Sequence, residues 1–194
     1  MTDSQGVYFR LEDYASLGRR LIAAAIDGVV LGLICLGAMV AILGSLGFNR
    51  ATLNAAIVVL LSILFCYGVL LKRSRYRTLG YRIAGVKVVG LDGKRAACSA
   101  LAMRLLFLPL GPLNWIVDLA WVSGDPHRQS LRDKLAHTYV VKVGAEPIGS
   151  GPVLFRYYDV MGYSLLLREV KVGEGKAGAV PGGTGPASEA QAGG

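Results

Sequence analysis

The sequence predicts an α-helical integral membrane protein with two transmembrane helices, a third broken apolar stretch and a small cytoplasmic β-ribbon. Of its 194 residues, 53% are hydrophobic, and the mean hydropathy is +0.48. Two apolar runs of 28 and 21 residues each exceed the roughly 20 residues that cross a bilayer. Basic residues gather beside these runs. The composition is therefore more apolar than that of an ordinary soluble domain.

The first apolar run extends from Leu21 to Phe48 and contains one charge, Asp27. A cleaved signal peptide has a short apolar core close to a basic N-terminus, whereas about 18 mostly polar residues precede this longer run. We interpret the run as a retained transmembrane helix that begins just before Arg19 and Arg20.

The second apolar run, Ala51 to Leu71, carries no charge, and the loop before it offers a single cation, Arg50. By the positive-inside rule, the N-terminus and residues 72–97 are predicted to be cytoplasmic, with the loop near Asn49 outside. The cations behind this prediction are Lys72, Arg73, Arg75, Arg77, Arg82, Lys87, Lys94 and Arg95.

The third apolar stretch, Ala96 to Val122, contains Arg104 and Asp118 and is broken by "PLGPLN". A re-entrant hairpin or an in-plane arrangement keeps the following basic segment cytoplasmic, so we favour it over a third crossing, which stays open. On either side of this stretch, "IAGVKVVGLDGKRA" and "HTYVVKV" have the character of short strands and are predicted to pair as the ribbon.

The chain divides into four parts by composition. Residues 1–13 are a polar lead, 14–143 the membrane domain, 144–171 an amphipathic segment that lies against a membrane surface or a partner, and 172–194 a tail rich in glycine, alanine and proline. We predict that the tail is disordered.

Asp27 is the costly residue of the first helix, because an aspartate at the bilayer centre costs roughly 2.5–3.5 kcal/mol on insertion scales. Arg20 lies seven residues earlier, about 10 Å along the axis, too far for a direct pair. Arg104 is the candidate partner, with a protonated carboxyl or a bound cation as alternatives. Asp27 is either functional or a polar fastener between helices, and Asp118 has the same ambiguity.

Ala24, Gly28 and Gly32 recur at four-residue spacing on the first helix. Small residues at this spacing let membrane helices approach closely. They predict helix packing, either against the second helix or between two copies of the chain.

No catalytic constellation is present in the sequence. It lacks a nucleophile elbow, a phosphate loop and a metal-binding motif, so we predict that the protein is not an enzyme and binds no cofactor or metal. Its two histidines, His127 and His137, are predicted to lie on the surface, and Cys35, Cys66 and Cys98 to be small apolar residues. The net charge of +8 flanks membrane segments, which argues against a nucleic-acid partner.

Three motifs, "RRLIAAAID", "TLGYRIAGVKVVGLDGKRA" and "RQSLRDKLAHTYVV", resemble the RDD family of bacterial membrane proteins over residues 14–143. The resemblance implies Arg20, Asp27 and Asp133 as the signature polar site, with Arg19 and Asp118 as weaker alternatives. The family usually has histidine or another residue at the position of Arg132, and glycine at the position of His137.

The family's activity is mostly unsettled, with transport or ion exchange proposed for some members. We therefore carry two hypotheses for a multi-pass protein of the bacterial inner membrane, both with the lipid bilayer as partner. The first is transport or ion translocation as a homo-oligomer or a subunit of a membrane complex. The second is a structural or adaptor protein whose basic cytoplasmic face binds anionic lipid or a partner.

Asp133 has a direct prediction of its own. Leu131 and Leu135 flank it at helical spacing and are expected to dock a short helix by its apolar side. Docking would bring Asp133 to Arg20, and we predict that the two side chains form an ion pair.

Overall fold

The computed structural model describes residues 5–107, 121–122, 125, 127–160 and 163–171. Helix α1 spans Leu17–Leu46, and helix α2 spans Arg50–Phe65 and continues as a π-helical turn, Cys66–Leu71. Both stretches are long and apolar enough to cross a membrane. Few of their side chains are buried within the chain, as suits helices surrounded by lipid.

A tight connection turns α1 back into α2. Gly47 ends α1 with a φ of +71°, a left-handed value that suits glycine. The Asn49 side chain then accepts a hydrogen bond from the Thr52 backbone N–H at 2.9 Å and caps α2. The two helices form a hairpin with both free ends on one side.

The elements beyond this hairpin begin with helix α3, Leu79–Ile83, and strand β2, Val86–Gly90. Helix α4, Cys98–Leu106, helix α5, Leu131–Leu135, and strand β3, Thr138–Lys142, follow. Strands β2 and β3 pair antiparallel, which confirms the predicted ribbon.

A three-stranded antiparallel sheet joins the two ends of the described chain. Its order is β1, Gln5–Tyr8, then β4, Gly149–Val160, then β5, Tyr163–Val170. The sequence analysis treats residues 1–13 and 144–171 as separate segments, but both contribute strands to this one sheet. Pairing between positions so far apart leaves no local signature.

The ribbon is fastened directly to the start of α1. The Ala15 backbone N–H donates to the Val140 carbonyl at 2.9 Å, and Tyr14 bridges to Val141. Two buried apolar clusters lie on either side of this junction. One includes Ala23, Val69, Val86 and Leu101, and the other includes Phe9, Tyr14, Tyr139 and Val170.

The small-residue face of α1 does not contact α2. Ala24, Gly28 and Gly32 are exposed, and no atom of another described element lies within 4 Å of the place where a Cβ on either glycine would be. Packing of this face against the second helix, one of the two alternatives, is therefore wrong. Contact between two copies stays a prediction.

Two predictions lie outside the described residues. Of the third apolar stretch, the structure describes α4 and residues 107 and 121–122, but not Asp118 or the proline-containing break. The tail, residues 172–194, is also outside them.

Candidate functional site

Arg20 lies in the first turn of α1 and forms an ion pair with Asp133 of α5, as the sequence predicts. Its guanidinium also donates to the carbonyl oxygens of Arg128 at 2.7 Å and Ala15 at 3.3 Å. The side chain of Arg20 is 9% exposed and that of Asp133 is 0% exposed. The pair is therefore almost completely removed from water.

Arg104, on α4, is the second partner of Asp133. Its Nη1 lies 2.5 Å from Asp133 Oδ1 and donates to Thr138 Oγ1 at 2.9 Å. The expectation that Arg104 compensates Asp27 is thus wrong, because its guanidinium is committed to Asp133. We call the group Arg20, Asp133 and Arg104 the arginine clasp, since it ties α1, α4 and α5 together at one carboxylate.

Asp133 is held by its own helix as well. The Ser130 Oγ accepts from the Asp133 backbone N–H at 3.3 Å, and the Asp133 carboxylate accepts from the Ser130 N–H at 3.3 Å, which makes a capping box. Helix α5 packs against neighbouring elements, with Leu131 and Leu135 partly buried, but its fully buried side chains are Asp133 and Lys134. The ion pairs of Asp133 and Lys134 thus add to the apolar contact that the spacing predicts.

The clasp keeps its carboxylate ionised. Burial on its own would raise the pKa of Asp133, but the guanidiniums of Arg104, Arg20 and Arg132 outweigh it and hold the pKa well below its usual range. Asp133 therefore stays charged throughout the physiological range.

Lys134, the next residue, belongs to a second buried network that the sequence analysis misses. Its Nζ lies 2.5 Å from Asp125 Oδ1 and 3.6 Å from Glu169 Oε1, and it donates to the Tyr158 hydroxyl at 2.8 Å. Tyr158 in turn donates to Glu169 Oε2 at 2.8 Å. We call Asp125, Lys134, Tyr158 and Glu169 the lysine cluster. Asp133 and Lys134, which are consecutive residues of α5, thus belong to two different charge networks.

His127 is buried, at 8% exposed, so its predicted surface position is wrong. Its Nδ1 lies 3.2 Å from the Tyr14 hydroxyl, which already accepts from the Phe9 backbone N–H. The tautomer of His127 decides which of the two groups donates in this contact. Aromatic rings, including that of Tyr139, surround the imidazole.

His137 is exposed, as predicted, and has a φ of +53°. This left-handed backbone costs a side chain more than it costs glycine. The geometry gives a physical reason for the glycine that the resembled family usually has at this position.

Asp27 is satisfied by three uncharged donors. Its Oδ1 accepts from the Tyr67 hydroxyl at 2.9 Å and the Gly80 backbone N–H at 2.7 Å, and its Oδ2 accepts from the Thr78 hydroxyl at 2.7 Å. Tyr67 lies on the π-helical turn, and the other two donors belong to the start of α3. Asp27 therefore connects α1 to the π-helical turn and to the start of α3.

The short helix α3 is bound to α1 at both ends. Asp27 accepts at its N-terminal end, and Arg19 Nη1 donates to the Ala84 carbonyl at 2.8 Å at its C-terminal end. A Cβ on Gly80 would lie 2.2 Å from the Ala23 carbonyl oxygen and 2.7 Å from Asp27 Oδ1. Glycine is the residue that allows α3 to approach this closely.

The position of Asp27 along α1 explains why uncharged donors are enough. Asp27 precedes the last residue of α1, Leu46, by 19 positions, which corresponds to about 28 Å of helix. The hydrocarbon layer is about 30 Å thick. When the Leu46 end lies at one face of that layer, Asp27 lies near the other face and not at its centre.

The structure thus separates the three signature residues into two contacts. Arg20 and Asp133 meet in the arginine clasp, whereas Asp27 makes its contacts with α2 and α3. Within the described residues, no three His, Cys, Asp or Glu side chains come together in a way that could hold a metal ion.

Comparison with known proteins gives one match. A family model described as the RDD family matches residues 14–137, which contain both contacts. Neither the curated proteins nor the solved structures contain a significant match.

Proposed function

This chain belongs to the RDD family and is a membrane protein of unknown function, and from that premise we propose that it is a non-catalytic structural or adaptor protein. In this proposal a folded domain outside the bilayer is held in a fixed position against a transmembrane hairpin. The domain presents its basic face to the anionic inner surface of a bacterial inner membrane.

The arginine clasp is the observation that carries the proposal. A buried carboxylate between two buried guanidiniums joins α1, α4 and α5, and such pairs fix geometry even where they add little net stability. The adjoining lysine cluster extends the connection to β5 through Glu169. Charge pairs therefore connect α1 to the three-stranded sheet by way of α5, and they fix the relative position of these elements.

Transport or ion translocation is the alternative function. An ion-carrying aspartate needs an oxygen that a cation or proton can reach, whereas both oxygens of Asp27 already accept hydrogen bonds from Tyr67, Thr78 and Gly80. A carrier role for Asp27 would have to compete with these three hydrogen bonds. This arrangement supports a structural duty for the residue.

The proposed topology places the N-terminus and the domain in the cytoplasm. Strand β1 precedes α1, and β2 pairs with β3 on either side of the third apolar stretch, so these parts share one side of the membrane. This pairing supports a stretch that returns to the side it left, as a re-entrant or in-plane segment does. The positive-inside rule assigns that side to the cytoplasm.

Cysteine labelling of intact cells tests the topology. In a background with the native cysteines replaced, we expect a membrane-impermeant reagent to label Asn49→Cys and to miss Lys94→Cys and Glu146→Cys. All three positions are exposed, so burial does not hide the probe. Labelling of Glu146→Cys alongside protection of Lys94→Cys would contradict a shared side.

Ion flux tests the function. The full chain is reconstituted in proteoliposomes, and sodium, potassium and proton flux are compared between wild type, Asp27→Asn and the exposed control Asp92→Asn. We expect no flux above empty vesicles for any of them. A flux that Asp27→Asn abolishes and Asp92→Asn preserves would replace the proposal with the transport function.

A further inference from the structure

A cavity of about 300 Å³ opens where α2 ends and α4 begins. Its lining combines one apolar residue of the π-helical turn with basic and small residues. These are Leu70, Arg73, Ser74, Arg95 and Cys98. No carboxylate belongs to this lining, so the cavity is positively charged.

The two arginines of the cavity are uncommitted, unlike those of the clasp. Arg73 donates to the Cys98 sulfur at 3.2 Å, a weak acceptor. Across the described ranges, neither Arg73 nor Arg95 forms an ion pair with a carboxylate. Two arginines that line one cavity carry the planar donor forks that bind phosphate.

Ser74 shapes the cavity without offering a donor to a ligand. Its hydroxyl donates to the Leu71 carbonyl at 2.8 Å and accepts from the Tyr76 backbone N–H at 3.1 Å. These bonds turn the chain sharply after α2 and hold the wall of the cavity in place. Recognition of an anion therefore falls to Arg73 and Arg95.

The depth of the cavity matches that of lipid headgroups. The apolar stretch Arg50–Leu71 has 22 residues, or about 33 Å of helix, enough to cross the hydrocarbon layer. Leu70 is 48% exposed and lies at the end of this stretch, while Arg73 follows nearly one turn later. The apolar side of the cavity thus adjoins the hydrocarbon and its arginines reach headgroup depth.

We propose that this cavity binds the phosphate of an anionic phospholipid, with Arg73 and Arg95 holding the phosphate oxygens and Leu70 contacting the start of an acyl chain. The inference rests on the proposed function, since it gives the basic cytoplasmic face one defined lipid site. A free phosphate ester shares the headgroup's chemistry but has no acyl chain for Leu70 to contact.

Lipid-dependent thermal stability of the full chain in detergent tests the site. The probe is dioleoylphosphatidylglycerol titrated into the micelles, with dioleoylphosphatidylcholine as the neutral reference and glycerol phosphate as the free ester. We expect phosphatidylglycerol to raise the unfolding temperature, and we expect Arg73→Gln and Arg95→Gln each to raise its half-saturating fraction about five-fold. Arg82→Gln is the matched control, because Arg82 is an exposed cation outside the cavity.

The outcomes separate the site from the general function. An equal loss in Arg82→Gln and the cavity variants would overturn the site and leave a diffuse basic face. No preference of the wild type for phosphatidylglycerol would overturn both the site and the lipid-binding face. Full stabilisation by glycerol phosphate would overturn the lipid as occupant. Should the glutamine variants fail to fold, Arg73→Lys keeps the charge without the fork, and an unchanged half-saturating fraction there would count against phosphate coordination.

Discussion

Asp27 is partly buried and Asp133 is fully buried, and the two carboxylates are stabilised by opposite means. Asp27 accepts from two hydroxyls and one backbone N–H, all uncharged. Asp133 lies between two guanidiniums, Arg20 and Arg104. The first carboxylate lies along a membrane helix, and the second lies in the folded domain outside it.

The surroundings of each carboxylate explain the kind of partner that it has. Near the edge of the hydrocarbon, additional ions would themselves have to leave water, so dipolar donors satisfy the carboxylate at lower cost. In the folded domain, several charged side chains are buried together and neutralise one another.

Asp133→Asn should have the largest effect. The substitution keeps the shape but removes the negative charge that Arg20 and Arg104 share, and removing one member of a buried ion pair costs about 3–5 kcal/mol. Chemical denaturation in detergent measures the loss of unfolding free energy. Asp92→Asn, at an exposed turn, is the control and should change little. A loss below about 1 kcal/mol would mean that the clasp is solvated in practice.

Asp27→Leu should destabilise the protein even though it removes a charge from an apolar helix. The three donors of Asp27 lose their acceptor, and one unsatisfied buried donor costs about 1–3 kcal/mol. Asp27→Asn retains one acceptor oxygen and should lose less. The same denaturation experiment measures both. A leucine variant as stable as wild type would show that the α3 contact contributes nothing.

Gly80→Ala should separate α3 from α1 without replacing either aspartate, although the added Cβ also crowds Asp27 Oδ1. The added Cβ would overlap the Ala23 carbonyl, and overpacking of this kind costs about 1–3 kcal/mol. Gly28→Ala is the matched control, since no atom of another element in the described part of the chain lies within 4 Å of its Cβ position. Thermal unfolding in detergent should give a lower unfolding temperature for Gly80→Ala than for Gly28→Ala. Equal stability of both variants would contradict the tight α1–α3 approach.

A double-mutant cycle measures how strongly the clasp couples its segments. Arg20→Gln and Asp133→Asn should show a coupling of about 0.5–3 kcal/mol in unfolding free energy. Arg10 and Glu12 provide an exposed reference pair, at 3.8 Å with side chains 66% and 72% exposed, and their coupling should be about 0–1 kcal/mol. Additive effects at Arg20 and Asp133 would remove the pair as a connection.

His127 should produce the smallest effect, a pH dependence near neutrality. Burial lowers the pKa of His127 below its usual 6.5, against the opposing charge of Asp125. The unfolded chain therefore binds more protons there, so stability should rise with pH between about pH 5 and pH 7. In His127→Gln, the unfolding temperature should change less with pH across that range. An unchanged slope would assign the dependence to another group.

The sequence predicts those parts of the fold that depend on residues close to one another along the chain. The two apolar helices follow from length and composition, and the two strands of the ribbon follow from their β-branched residues. Each of these depends on neighbours within a few residues, or on the fixed thickness of a bilayer.

The remaining contacts depend on tertiary arrangement. Arg104 is equally compatible with either aspartate by charge, and only the placement of α4 gives it to Asp133. The burial of Lys134 requires Asp125 and Glu169 to come from two distant segments. Within the "HRQSLRDK" run, the cations outnumber the single carboxylate, so the sequence alone predicts a solvated basic segment. His127 is buried because Tyr14 arrives from the other end of the chain.

The clasp also has a consequence for biosynthesis. Arg20 and Asp133 are 113 positions apart, so Arg20 leaves the ribosome long before Asp133 is synthesised. Throughout that interval, the Arg20 guanidinium has no Asp133 carboxylate to pair with. The ion pair can form once Asp133 has been translated, and β1 can pair with β4 only after residues 149–160 follow. A chain arrested before Asp133 would therefore display an unneutralised arginine and an unpaired strand, which distinguishes an unfinished product from a finished one.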